Sequence, residues 1–198
     1  MKVMKMIAIM SVMIILVSCS SETIQEESDN IQESATEEVA TEEIATEEVA
    51  TEEVATDSIG TFESVTIEGA TISSDIFAEY ELTMVNIWAT WCSPCVNEMG
   101  ELAELYHELP ENVNLITICE DAESETELAK EILDTNEAMF DTVIVNDEMR
   151  TSIISRCSGF PTTLFIDSNG NIVDGAMVGA PSSDVVDTYL EQINLRLN

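Results

Sequence analysis

Two cysteines separated by two residues, Cys92 and Cys95, are the part of this chain best suited to chemistry. They stand in Trp91-Cys92-Ser93-Pro94-Cys95, after an apolar run over residues 84–90 and before the polar-apolar stretch Val96-Asn97-Glu98-Met99. Thiols at this spacing can close into a small disulfide ring and reopen. At the end of a strand and the start of a helix, the free N–H groups and positive dipole end of the helix stabilise a thiolate on the first cysteine. Cys92 is therefore expected to be the nucleophile and Cys95 the resolving thiol.

Other uses of such a pair fit less well. Half a zinc site needs two further ligands at ribbon or finger spacing, and the chain has no second C-x-x-C. Cys119 and Cys157 are single, and His107, the only histidine, lies in a polar helical stretch. That placement also disfavours a copper carrier, and no metal is expected.

The elements that must position the pair follow from the apolar pattern over residues 60–198, a length suited to one domain. Residues 62–72 read as a short hairpin. Residues 82–89 are apolar at nearly consecutive positions, as in a central strand covered on both faces. The helix after the motif runs to about His107, with Met99, Leu102, Leu105, Tyr106 and Leu109 at helical spacing, and Pro110 stops it. A buried strand at 113–118, a helix near 125–136, a weaker strand at 142–145 and a short helix near 148–156 follow. Residues 163–166 and 172–178 form a hairpin across Asn169-Gly170, and Pro181 opens a terminal helix facing the sheet with Val185, Val186, Tyr189, Leu190 and Ile193. Strands alternating with helices and ending in a hairpin give an α/β sandwich.

The segment from Asn86 through Trp91-Cys92-Ser93-Pro94-Cys95 to Met99 resembles the active-site segment of the thioredoxin superfamily, specifically its TlpA-like and ResA-like extracytoplasmic thiol-disulfide oxidoreductases. Gly159-Phe160-Pro161-Thr162-Thr163-Leu164-Phe165-Ile166-Asp167 resembles that family's cis-proline segment. The resemblance covers roughly residues 60–198. It implies a three-layer thioredoxin-like sandwich, a mixed sheet flanked by helices with an N-terminal hairpin and an α/β insertion. It also implies a cis bond before Pro161, with Pro161 and Thr162 helping to hold an extended partner, and supporting places for Trp91 and Pro94 in the motif. ResA-like members carry a carboxylate three residues after the second cysteine, which Glu98 matches. Glu98 is then either a solvated helix residue or a group that moves protons between the thiols. Where thioredoxin has a buried aspartate this chain has Asn86, and where many relatives kink the helix with proline it has Gly100.

At the amino end, Lys2 and Lys5 precede about a dozen apolar residues, too short to span a bilayer comfortably and shaped like a secretory signal. Leu16-Val17-Ser18-Cys19 resembles a bacterial lipobox, so residues 1–18 are expected to be removed and Cys19 lipidated. Residues 19–59 carry five pentads, from Ala35-Thr-Glu-Glu-Val39 to the degenerate Ala55-Thr-Asp-Ser-Ile59. A period of five scatters Val39, Ile44, Val49 and Val54 around a helix, so no stripe forms to be buried. The segment reads as a solvated, self-repelling tether averaging roughly 35 Å end to end, with a helical stalk as the alternative.

Without Cys19, four cysteines remain in an exported protein. Beyond Cys92 and Cys95, the remaining Cys119 and Cys157 are open to two readings, a second disulfide or a pair of buried thiols.

The chain has 40 acidic and six basic residues and a formal net charge of −34. The tether carries 14 of the acids, and the remaining 26 face four basic residues in the domain. Nucleic acid and anionic lipid would be repelled and basic partners drawn in. No lysine or arginine occurs between Lys5 and Lys130, so a Cys92 thiolate has only the helix end to stabilise it. Weak thiolate stabilisation points to a reductant. The expected protein is a lipid-anchored extracytoplasmic thiol-disulfide oxidoreductase that needs no cofactor beyond its own disulfide and reduces disulfide-bearing proteins. The resemblance implies recharging by a membrane electron donor of the CcdA/DsbD kind. Alternatives are a disulfide-forming oxidase, a peroxidase, disfavoured by a resolving cysteine three positions away, and a thioredoxin-fold binding module without catalysis.

Overall fold

The computed structural model describes residues 57–198. The expected signal peptide, Cys19 and the expected pentad tether up to residue 56 lie outside the described residues. The elements in chain order are β1 (Glu63–Val65), β2 (Thr71–Ser73), a 3-10 helix (Ser74–Glu79), β3 (Leu82–Trp88), α1 (Ser93–Glu108), β4 (Val113–Cys119), α2 (Thr126–Thr135), β5 (Thr142–Ile144), α3 (Asp147–Ser152), a 3-10 turn (Ile154–Arg156), β6 (Thr162–Asp167), β7 (Ile172–Val178) and α4 (Val185–Leu197).

The main sheet has the order β5-β4-β3-β6-β7, with β1 and β2 forming a separate antiparallel pair. Every residue of β3 is buried, as its apolar run predicts for a strand covered on both faces. It pairs in parallel with β4 and antiparallel with β6, so the sheet is mixed. Alternate residues of β3 serve different cores. Leu82, Met84 and Trp88 pack beneath α1 and α4, with Leu102, Leu105, Tyr189 and Ile193. Val85 and Ile87 pack on the other face against Phe77, Met149 and Ile153. Three layers result, as expected of the α/β sandwich. At one edge, Ile67 N–H donates to Thr142 O and Ser64 Oγ to Ile144 O, so the N-terminal hairpin covers β5.

Three local readings shift. The domain is drawn in before residue 60, because Ile59 N–H bonds Gly170 O, Ile172 N–H bonds Asp57 O, and Ile59 is a core residue. The last, degenerate pentad thus ends inside the fold. The single helix expected near 148–156 divides at Ile153 into α3 and the 3-10 turn. The terminal helix begins at Val185, four residues beyond Pro181, because Asp184 takes a left-handed backbone conformation at φ 50°. At Asn169-Gly170 the expected hairpin forms; Gly170 adopts φ +81°, and Asp167 Oδ1 accepts from the N–H groups of Asn169 and Asn171.

Candidate active site

β3 ends at Trp88 and the chain turns through Ala89, Thr90 and Trp91 into α1, placing Cys92 at the helix N-cap. Pro94 lies in the first turn, where a missing N–H costs no hydrogen bond. Cys92 O accepts from Val96 N–H, and no side chain caps the helix, so its leading N–H groups are left without a side-chain acceptor at the end that carries the sulfurs. Cys92 and Cys95 are joined in a disulfide with Cα atoms 5.3 Å apart. Cys95 is fully buried and Cys92 nearly so, which makes Cys92 the outer sulfur.

The loop before the pair is clamped from the loop that follows β4. Asp121 Oδ1 accepts from Thr90 N–H at 3.0 Å, and Oδ2 accepts from the Thr90 hydroxyl at 2.5 Å. Trp91 is 67% exposed and meets Phe160 edge to face with centroids 5.8 Å apart. The Phe160–Pro161 peptide is cis, as the resemblance implies. An exposed aromatic surface therefore borders the disulfide, flanked by the exposed Val178 at the end of β7. Thr162 follows the cis bond at the start of β6. It is buried, its hydroxyl donates to Gly159 O at 2.7 Å, and its backbone pairs with both β3 and β7. Its side chain ties β6 to the loop at Gly159.

Glu98 lies one turn beyond Cys95 on α1 and is only 2% exposed, which rules out the solvated helix residue. Asn86 Nδ2 donates to Glu98 Oε1 at 3.0 Å and to Thr163 Oγ1 at 3.1 Å. Thr163 Oγ1 is in turn 3.1 Å from the Tyr189 hydroxyl. Burial lifts the Glu98 carboxyl from 4.5 to about 7, with the bond from Asn86 opposing the rise and the nearby Glu101 charge adding to it. The ionisable group that thioredoxin's strand would supply thus comes here from the helix, with the strand supplying an amide. Gly100 leaves α1 unbroken, and its absent Cβ fits a close approach, since a Cβ there would stand 3.2 Å from Asn136 Oδ1 at the end of α2.

Cys119 and Cys157 are free thiols on opposite faces of the sheet, so the second disulfide does not form. Cys119 sits under α1 with its thiol 3.4 Å from Asp121 Oδ1, and burial pushes it well above the ordinary thiol range. Cys157 packs with the other core, and burial raises its thiol as well. Among the described residues no group of three metal-ligating side chains is placed to hold an ion.

Sequence reasoning passed over Thr163, Tyr189 and Asp121. In β3 and β6, Asn86 and Thr163 alternate in phase with core residues and face each other in register, so a buried polar pair was readable from the period. Tyr189 was assigned to the apolar face of α4, and a buried tyrosine hydroxyl needs a partner. Asp121 lies in a loop, and no pattern marks its contact with Thr90.

A mixed five-stranded sheet between helices, a C-x-x-C disulfide at a helix N-terminus and a facing cis-proline loop define a thioredoxin-like redox domain. The chain belongs to the AhpC/TSA family, whose model matches residues 55–174. It is 33% identical over 113 residues to the thiol-disulfide oxidoreductase ResA of Bacillus cereus, covering 55% of this chain and 61% of that protein. It is 34% identical over 112 residues to ResA of Oceanobacillus iheyensis, covering 56% of each. The chain therefore spans about three fifths of the length of the curated relatives it matches. Among solved structures, a thiol:disulfide interchange protein from Chlorobium tepidum superposes with a TM-score of 0.62 at 20% identity, over 72% of this chain and 97% of that one. StoA from Bacillus subtilis superposes with 0.54 at 21% identity, over 70% and 97%. These likenesses establish the thioredoxin-like fold.

Proposed function

We propose that this protein is a lipid-anchored thiol-disulfide oxidoreductase that reduces protein disulfides on the extracytoplasmic face of a membrane. The observation that carries the reading is the Cys92–Cys95 disulfide at the leading end of α1, with the outer sulfur beside an exposed aromatic surface. In the cycle, the Cys92 thiolate attacks one sulfur of a substrate disulfide. A mixed disulfide forms and the first substrate thiolate leaves. Cys95 then gives its proton to Glu98 and attacks the Cys92 sulfur, re-forming the internal disulfide and releasing the second substrate thiolate. Two electrons pass to the substrate, and its two thiolates take up protons, one by way of Glu98.

Support for the direction comes from charge. Thr90, Trp91, Val96 and Asn97 flank the motif with no cation, and each lysine and arginine among the described residues lies within 4.0 Å of a carboxylate. The thiolate then depends on the helix end alone, which favours the disulfide form and a reducing couple. The lipobox-like Leu16-Val17-Ser18-Cys19 supports the anchor, and the acidic residues 20–56 support a tether that gives the domain reach. Re-reduction falls to a membrane electron donor of the CcdA/DsbD kind.

The test is a trap. Full-length protein carrying Cys95→Ser, expressed in its own cells, should accumulate mixed disulfides through Cys92 to exported proteins. Absence of any covalent partner would favour a binding module, and capture of only fully reduced folding intermediates that acquire disulfides would favour an oxidase.

A further inference from the structure

Behind the disulfide, four polar side chains from four different elements meet in the core. Asn86 is on β3, Glu98 on α1, Thr163 on β6 and Tyr189 on α4, and all are at most 2% exposed. Buried polar groups without partners are costly, so their connections are constrained. The Asn86 amide has two hydrogens and gives one to Glu98 Oε1 and the other to Thr163 Oγ1. Thr163 Oγ1 accepts there, so its own hydrogen is free for the Tyr189 oxygen 3.1 Å away. The Tyr189 hydroxyl is bonded to Thr163 and not to the Glu98 carboxyl, and its presence nearby opposes the rise that burial causes there. The Asn86 amide thus ties the two hydroxyls to Glu98, the one group that, when ionised, can only accept. Two buried atoms, Glu98 Oε2 and Asn86 Oδ1, have no hydrogen-bond partner.

We propose that Thr163 and Tyr189 are positioning residues for Glu98: their hydroxyls, bonded to each other, hold the Asn86 amide with its N–H toward the carboxyl, which keeps Glu98 able to take and return the Cys95 proton. The proposal rests on the oxidoreductase reading above. The titratable groups acting on Glu98 are Glu101 from α1 and Tyr189 from α4, while β3 and β6 present the neutral Asn86 and Thr163. Donors to a carboxylate favour its charged form, so removing one makes the proton bind more tightly.

The experiment follows the Glu98 side-chain carbon by NMR in full-length oxidised protein labelled with 13C-glutamate, the resonance being assigned by its loss in Glu98→Gln. The wild-type carboxyl should titrate near pH 7. Tyr189→Phe, which keeps the ring and removes the hydroxyl that holds Thr163, should loosen the Asn86 amide and tighten proton binding at Glu98 on the order of several-fold, as loss of a hydrogen bond of about 1 kcal/mol implies. Thr163→Val should act in the same direction and Thr163→Ser should restore the wild-type midpoint. If Thr163→Val does not fold, Tyr189→Phe and Thr163→Ser decide the matter. An unchanged or lowered midpoint in folded Tyr189→Phe would overturn the proposal. Failure of the reduced wild type to reduce any disulfide peptide would overturn the oxidoreductase reading instead, and the carboxyl titration is read independently of that result.

Discussion

Replacing Glu98 by glutamine should change how stability depends on pH, and the size of the change follows from the buried carboxyl. In the folded oxidised protein Glu98 titrates near 7 against 4.5 for the unperturbed group, so between those values the folded chain holds a proton that the unfolded chain has released. Stability must then fall as pH rises across that window. The full loss is roughly 3 kcal/mol at about 1.4 kcal/mol per pH unit, and about 2.5 kcal/mol of it falls between pH 5 and pH 8. Glutamine keeps the shape, retains an oxygen to accept the bond from Asn86, and does not titrate. Urea unfolding of the oxidised wild type and Glu98→Gln at pH 5, 6, 7 and 8 measures the difference directly. The many exposed carboxylates are common to both proteins and cancel. The variant should gain on the wild type by about 2.5 kcal/mol over this range, while losing rate in disulfide exchange. Parallel stability curves from pH 5 to pH 8 would refute the reasoning, because they would mean that Glu98 is not held protonated by its burial.

Further outcomes follow from the other contacts. Alkylation of the unreduced, denatured domain should label Cys119 and Cys157 and leave Cys92 and Cys95 unmodified, whereas in the native protein Cys157 should react before the fully buried Cys119; a peptide joining Cys119 to Cys157 would contradict this. Asp121→Ala should cost about 1–3 kcal/mol in urea unfolding, because it strands the buried side of the Thr90 loop, and should slow exchange at Cys92. Unchanged stability and rate would show that the clamp does not set the loop. Reduction of a cationic disulfide peptide should outpace that of an anionic one by roughly tenfold at low salt, with the ratio collapsing toward unity near 1 M salt. A salt-independent ratio would remove charge as a factor in substrate choice.

How much of this was readable before the coordinates depends on the kind of interaction. The reactive pair was legible because its chemistry depends on local context, a strand end and a helix start, which periodicity reports well. β3 and α1 matched their expected extents within a residue or two for the same reason, and the terminal helix was misplaced only at its start, where Asp184 adopts a conformation that no pattern announces. Burial of Glu98 was not legible, since helical spacing places it beside both Glu101 and the apolar Leu102, and only the packing of α4 on α1 closes it off from water. The fate of Cys119 and Cys157 depended on which face of the sheet each side chain takes. One ends a strand whose phase is readable, but the other follows an irregular turn whose phase is not. Asp57 to Ile59 looked like tether because they close a repeat, yet a single apolar residue there was enough to join the core.

Cys92 and Cys95 are expected to form a reversible two-electron couple that sits on the reducing side. Equilibrating the full-length protein across a series of thiol-disulfide buffers and following the fluorescence of Trp88 and Trp91 tests it most directly. A single two-electron transition well below roughly −120 mV, absent in Cys92→Ser and in Cys95→Ser, is the predicted result. A transition that survives either substitution, or one as oxidising as that of a dedicated disulfide-forming enzyme, would contradict the account.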